Sequence, residues 1–283
     1  MCGVYGIFQN VGIVNGSDAV HLARAAQTRG IDSAGIVFQK DNHINVKKRD
    51  FGSVRLLSET QGYKQSRFIA GHSRLVTNDV LNNQPVVKDG VIVIHNGIIA
   101  NDSQVWDSID QTPETELDSE LIPTLFNLYR KEGLSTNDSV SRIFEVCEGV
   151  ISAILLDLRE NKIHLISNNG SMYFGLKGEN LYISSESYPL TSLAMNSPTQ
   201  VFGLSTHDYN FDFENVVIVV DETMNENDPT LVLQLNRGLY VQYLFDSTGS
   251  AKMICDIPEV SATKKLKYVY LAFPYLVLDT VRC

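Results

Sequence analysis

The chain has 283 residues, 43% hydrophobic and 20% charged, the balance of one large globular domain or one domain with a smaller appendage. A formal net charge of −10 excludes broad nucleic-acid contact, which needs clustered Lys and Arg to displace counterions. The four cysteines, Cys2, Cys147, Cys255 and Cys283, are too scattered for a zinc ribbon or a Cys-x-x-Cys pair and too few for a disulfide scaffold.

In chain order, the N-terminus shows no basic stretch followed by an apolar run, so no signal peptide is expected. MCGVYGIF reads as a strand apolar on both faces and hence buried, with Gly3 and Gly6 leaving room for close approach by another backbone or a ligand. Ser17 is expected to cap a helix running to about Thr28, with Gly30 closing it. GIVFQK and HINVKKR follow as strands around the turn residues Asp41 and Asn42. RFIAGHSRLV and GVIVIHNGII are further strands that bracket a polar loop from Asn82 to Asp89. Leu117, Leu121, Leu125 and Leu128 share one face of a helix expected from Asp118 to about Glu132, and a second helix runs from about Asp138 to Cys147.

ISAILLDL, KIHLIS, MYFGL and LYISSE then read as a four-strand meander turning at Glu160–Asn161, Asn168–Gly170 and Lys177–Asn180. A short helical pattern at Tyr188 to Met195 is followed by strand-rich sequence such as VVIVV and LVLQL. No apolar run approaches the ~18–20 residues of a bilayer span. The longest, around Leu266 to Leu278, is broken by Lys267 and Pro274. These features predict a reduced, soluble, cytoplasmic α+β protein.

Cys2 carries chemistry if Met1 is removed. Its thiol would be a nucleophile, and its α-amine, with an ordinary pKa of roughly 7.7–8.0, a base poised near neutrality. On that fact alone a small buried residue at a strand start is the simpler reading. Four further segments, in order, change the balance: RGIDSAG at 29–35, GHSRLVTN at 71–78, HNGIIAN at 95–101 and ETELDSEL at 114–121. With MCGVYGIF they resemble the glutaminase domain of class II glutamine amidotransferases, over roughly the first 200 residues.

The resemblance implies a four-layer α/β/β/α sandwich of the N-terminal-nucleophile hydrolase type. It also implies hydrolysis of L-glutamine to glutamate and ammonia through a thioester on Cys2, with no metal and no organic cofactor. Arg74 matches the arginine that grips the substrate α-carboxylate, a role its planar fork suits. Asp118 matches the acid that receives the α-ammonium, and Thr77 a further substrate contact. Asn96 and Gly97 match the oxyanion donors, through a side-chain NH₂ and a backbone N–H. Arg29 and Asp32 match a segment that braces the nucleophile strand. Leu75, where several relatives carry an aromatic, and Asn78, where some carry histidine, depart from the pattern at positions linked to site closure.

Plainer roles exist for each residue. Asp118 could cap a helix, Asn96–Gly97 could be a hairpin turn, and Arg74 could be a surface cation. His72 and His95 are expected to satisfy hydrogen bonds within the fold, and Cys147 to lie in a core. The expected organisation is a glutaminase domain over 1–205 and a strand-rich extension over 206–283, either part of the same domain or a docking segment. No recognisable synthase follows, so the ammonia is expected to pass to a separate synthase partner. The alternatives are a non-catalytic glutamine-binding or regulatory subunit, and an amidohydrolase of the same fold acting on another amide.

Overall fold

β1 (Gly3–Phe8) is buried along its length, and its period of two sends Val4 and Phe8 into one core and Tyr5 and Ile7 into another. A strand apolar on both faces needs a layer on each side. The computed structural model describes residues 2–41, 43–75, 82–195, 197–208, 216–221, 230–236, 239–245 and 251–256, and it supplies both layers. After β1 come α1 (Gly16–Gln27), β2 (Ser33–Lys40), β3 (His43–Arg49), α2 (Ser53–Glu59), β4 (Phe68–Arg74), β5 (Val86–Lys88) and β6 (Val91–Ile99). Then follow α3 (Asp102–Ser108), α4 (Leu121–Lys131), α5 (Thr136–Val146), β7 (Gly149–Asp157), β8 (Lys162–Ser167), β9 (Tyr173–Lys177), β10 (Asn180–Ser184) and α6 (Ser187–Ser192). Short β11 (Thr199–Gln200) precedes β12 (Gly203–Asp208), β13 (Val217–Asp221), β14 (Thr230–Asn236), β15 (Leu239–Phe245) and β16 (Ala251–Asp256).

Among the described residues one sheet has 11 strands, ordered β11-β9-β10-β1-β4-β2-β3-β13-β14-β15-β16, and the other has 5, ordered β12-β8-β7-β6-β5. Between them lies a core in which Val4, Phe8, Phe68 and Ala70 meet Ile92, Ile94, Ile154 and Leu165. Leu22, Leu56 and Leu57 of α1 and α2 cover the outer face of the larger sheet against Tyr5, Ile7 and Ile36. Trp106, Leu121, Leu125 and Ile143 of α3, α4 and α5 cover the smaller sheet against Val91, Val93 and Ile151. The result is the expected α/β/β/α sandwich.

Several local expectations need correction. α1 is capped by Asn15, not Ser17, because the Asn15 Oδ1 accepts from the backbone N–H groups of Ser17 (2.9 Å) and Asp18 (3.3 Å). α5 likewise begins after Ser135, whose hydroxyl takes the Asp138 N–H. α2 and α3, seven residues each, are too short to show a helical period and were absent from the sequence pattern. The four-strand meander is two hairpins in different sheets. β7 and β8 pair in the smaller sheet, and at Asn168–Gly170 the chain crosses to the larger one, where β9 and β10 pair.

β12 then returns to pair with β8, and β13 lies parallel beside β3, so the expected boundary at 205 falls within β12. Cys147 is buried in the outer core of the smaller sheet, as expected, although it caps α5 and does not lie within it. Thr77, Asn78 and the apolar run at 266–278 lie outside the described residues.

Helix α1 rests on β1 with almost no gap. A Cβ built on Gly3 would sit 2.2 Å from the Ala26 carbonyl oxygen, so any side chain there forces helix and strand apart. A second anchor is Glu120, just before α4. Its carboxylate accepts from Lys88 Nζ (2.8 Å), the Thr115 N–H (2.8 Å), the Thr115 hydroxyl (2.8 Å) and the Glu114 N–H (3.0 Å). The Lys88 ammonium in turn lies over the Trp106 ring. Burial alone would raise the Glu120 pKa, but the Lys88 ion pair and the donors from Glu114 and Thr115 hold it below the ordinary carboxylate value.

Two outcomes are expected. Gly3→Ala lowers stability by about 1–3 kcal/mol through overpacking, read as a lower denaturation midpoint at unchanged slope. Glu120→Gln costs about 1–3 kcal/mol at neutral pH. Because the folded pKa is depressed, the wild-type carboxylate stabilises fully above its unfolded pKa and loses this as pH falls through the folded value. The deficit of Glu120→Gln against wild type therefore shrinks below about pH 4 and is constant above about pH 6. A pH-independent deficit would show that the charge contributes nothing.

Candidate active site

Strand parity places the expected site residues. On β1 the inner-facing set is Val4, Gly6 and Phe8, so Cys2, one residue before the strand, belongs to the same face. Gly3 pairs with Ser73, which sets Cys2 abreast of Arg74 at the end of β4. On β6, Ile92 and Ile94 face inward, which gives Asn96 the inner face and His95 the outer. β6 packs against both β1 and β4, so the strand that carries Asn96 and Gly97 lies over the strands at whose ends Cys2 and Arg74 sit.

Cys2 is half-buried, and β1 behind it is held on both edges. The Val4 N–H donates to Ser185 Oγ at 3.1 Å, and Ser185 N–H returns a bond to the Val4 carbonyl at 2.9 Å. Burial pushes the thiol pKa above its ordinary value, and Asp118 adds to that. The positive charges of Arg74, the chain's α-amine and Arg29 pull it back. The charge on sulfur thus feels Arg74 and Asp118 together.

Arg74 is buried, and its Nη1 donates to the Asn82 carbonyl at 2.8 Å, a bond that orients the guanidinium and leaves further N–H groups to donate. It is not a surface cation. Asp32 donates its backbone N–H to the Arg74 carbonyl at 3.0 Å, and Ser73 Oγ donates to the Gly30 carbonyl at 2.7 Å, so the 29–32 turn clips the end of β4. Arg29 pairs with Glu186, directly after the serine that holds β1. Arg29 makes its contact through its side chain and Asp32 through its backbone N–H.

Asn96 and Gly97 lie inside β6, paired with Ser152 and Ile151 of β7, and do not form a turn. Asn96 is buried, and its Oδ1 has no hydrogen-bond partner among the described residues. Gly97 has φ +156°, and a Cβ there would lie 1.8 Å from the Val150 carbonyl oxygen, so no other residue fits. Asp118 is no helix cap. Its Oδ2 accepts the Ile99 N–H at 2.8 Å, which ties the carboxylate to β6 two residues beyond Gly97.

The two histidines hold structure. His95 donates its N–H to Gln84 Oε1 (2.6 Å), and its ring lies against Ser119 Oγ (2.9 Å) and the Val150 carbonyl (3.1 Å). His72 is fully buried, and burial together with the Arg74 charge lowers its pKa to about 3. The expected hydrogen bonds are weak for His72, whose ring nitrogens meet only loose contacts with the Gly35 backbone and the Asn83 side chain.

Sequence reasoning overlooked Gln84, Ser119, Glu120, Ser185 and Glu186. Gln84 sits in the polar loop from Asn82 to Asp89 and Ser119–Glu120 in ETELDSEL, where no single residue stood out. Ser185 and Glu186 carry no motif that could have been found. Among the described residues no group of three His, Cys, Asp or Glu side chains could hold a metal ion, and no helix is long and apolar enough to cross a membrane.

Residues 72–192 match the family described as "Glutamine amidotransferase domain". The glutamine–fructose-6-phosphate aminotransferase (isomerizing) of Escherichia coli K12 is 28% identical over 201 residues, which cover 66% of this chain and 32% of that protein. The protein of the same name from Agrobacterium fabrum is 28% identical over 164 residues, 55% of this chain and 26% of its own. The chain thus spans about a third or less of these relatives.

Among solved structures, the glutamine phosphoribosylpyrophosphate amidotransferase of B. subtilis, complexed with ADP and GMP, superposes with a TM-score of 0.56 at 16% identity. That match covers 90% of this chain and 49% of the other. A structure described as the allosteric regulatory enzyme of purine biosynthesis gives 0.59 at 16% identity, over 76% and 50%. At such identities these two matches speak to the fold alone. The family match and the relatives point in one direction: over residues 72–192 the chain is similar to glutamine amidotransferase domains.

Proposed function

We propose that the chain hydrolyses L-glutamine to L-glutamate and ammonia, with Cys2 as nucleophile once Met1 is removed. The observation that carries this reading is that Cys2 lies abreast of Arg74 and within electrostatic reach of Asp118, whose carboxylate is bonded to the strand that carries Asn96 and Gly97. Arg74 grips the substrate α-carboxylate and Asp118 the α-ammonium, with Thr77 as a further contact. The Cys2 α-amine takes the thiol proton as sulfur attacks the side-chain carbonyl carbon. Asn96 Nδ2 and the Gly97 N–H donate to the oxyanion. Collapse breaks the C–N bond, the ammonium returns its proton to the leaving nitrogen, and ammonia departs. Water then attacks the thioester, with the α-amine again as base, to release glutamate and restore the thiol.

The ammonia on this reading passes to a synthase, and β13 to β16, which extend the larger sheet beside β3, also serve docking. Three apolar side chains that adjoin site residues in sequence support a covered mouth: Ile31 is 59% exposed, Leu75 49% and Ile98 62%. Ammonia release by the isolated chain, compared with release in the presence of its co-purifying proteins, tests this. Full, unregulated turnover with no stable partner would leave a stand-alone glutaminase.

For the chemistry, an electrophilic glutamine analogue is expected to label Cys2, and only in protein lacking Met1, while Cys2→Ala abolishes ammonia release. Labelling at Cys147 with activity retained in Cys2→Ala would overturn the assignment. Arg74→Lys and Asp118→Asn raise KM chiefly, whereas Asn96→Ala lowers kcat by ~10²–10³. If Asn96→Ala changed KM alone, that residue would be a binding group and not an oxyanion donor.

A further inference from the structure

Behind the site, Gln84, His95 and Ser119 form a closed ring of hydrogen bonds, each residue at most 4% exposed. They come from three separate segments: the Asn83–Gln84–Pro85 stretch, β6 and the turn before α4. The proton positions in this ring follow from its partners. The Val150 carbonyl only accepts, so His95 Nε2 carries a proton. Burial holds the ring below the ordinary histidine pKa, so it is neutral and Nδ1 is a bare acceptor. Gln84 Oε1 is taken by the His95 N–H, so the Gln84 amide nitrogen faces Ser119 and donates to its Oγ at 3.0 Å.

Ser119 has one hydroxyl proton and two acceptors in reach, His95 Nδ1 at 2.9 Å and Asp118 Oδ1 at 3.2 Å. The contact to Nδ1 has ordinary hydrogen-bond length, whereas 3.2 Å to Oδ1 exceeds the usual O–H···O range. The proton therefore goes to His95. Asp118 Oδ2 holds the Ile99 N–H, and Oδ1 keeps its lone pairs.

We propose that Gln84, His95 and Ser119 are positioning residues for substrate recognition. They turn the Ser119 proton away from Asp118 and tie the carboxylate to the oxyanion strand, so that Asp118 meets the α-ammonium of glutamine as an unoccupied acceptor. This rests on the reading of Asp118 as the ammonium-binding acid. Loss of the Ser119 hydroxyl leaves two buried groups unpaired and frees the Asp118 turn from β6, which should weaken one contact on the substrate and leave the chemistry at its other end intact.

The test compares L-glutamine with 4-carbamoylbutanoate, which is glutamine without its α-amino group. Ser119→Ala is expected to lower kcat/KM for glutamine about tenfold, through KM, with kcat within about twofold, and to leave kcat/KM for 4-carbamoylbutanoate within about twofold. Ser119→Thr, which keeps the hydroxyl, restores glutamine turnover. If Ser119→Ala does not fold, Ser119→Cys, with a weakly bonding thiol, gives the same selective loss. Equal loss with both substrates, or loss with neither, overturns the proposal while wild-type turnover of glutamine upholds the function. A wild-type chain that neither binds nor hydrolyses glutamine overturns both.

Discussion

The site depends on one pairing, Gly3 of β1 opposite Ser73 of β4. That register sets Cys2 beside Arg74, and a slip of one residue would turn either side chain to the opposite face of the sheet. The register is over-determined. β10 holds the other edge of β1, Ser185 bonds the Val4 backbone on both its N–H and its carbonyl, and α1 presses on Gly3. A residue this near a chain's start, as the proposed nucleophile is, would ordinarily fray. Here the strand that carries it is central in its sheet, so the positioning cost is borne by the fold.

Electrostatics then divide the work. The thiol is raised by burial and answered by cations, and the opposed charges of Arg74 and Asp118 both act on it, a pattern complementary to a zwitterionic amino acid. Neither nearby histidine is suited to general-base catalysis. His72 titrates near 3, too low to accept a proton from a thiol with any driving force at neutral pH, and the ring of His95 is engaged at both nitrogens. On the proposed reading the base is instead the Cys2 α-amine.

Much of this was legible in the sequence, for identifiable reasons. A run apolar on both faces marked β1 and correctly announced its burial between layers. α4 was visible because Leu117, Leu121, Leu125 and Leu128 repeat along one face. What failed was what periodicity does not encode. Asn15 caps α1 from outside the helical pattern, and α2 and α3 are shorter than two full periods. The crossing between sheets at Asn168–Gly170 looks, in sequence, like any other turn. Asn96–Gly97 has the composition of a hairpin turn, yet tertiary pairing with β7 draws it into a strand. The supporting residues Gln84, Ser119 and Glu120 were unreadable because hydrogen bonds between distant segments leave no local signature.

That in-strand placement has a physical consequence. Donors on a turn would shift as the turn flexes, whereas β6 is hydrogen-bonded to β7 from Ile99 back to Val91. The same strand carries the proposed oxyanion donors at Asn96 and Gly97 and, through the Ile99 N–H, the anchor of Asp118. Gly97 and Ile99 are two residues apart, about 7 Å along a strand. On the proposed reading both ends of the substrate are therefore measured against one rigid element, the ammonium at Asp118 and the scissile carbonyl at Gly97. A fixed span of that kind rejects asparagine, whose amide falls one methylene short of the donors when its ammonium is bound. Length selection then needs no dedicated pocket wall, because the strand itself is the ruler.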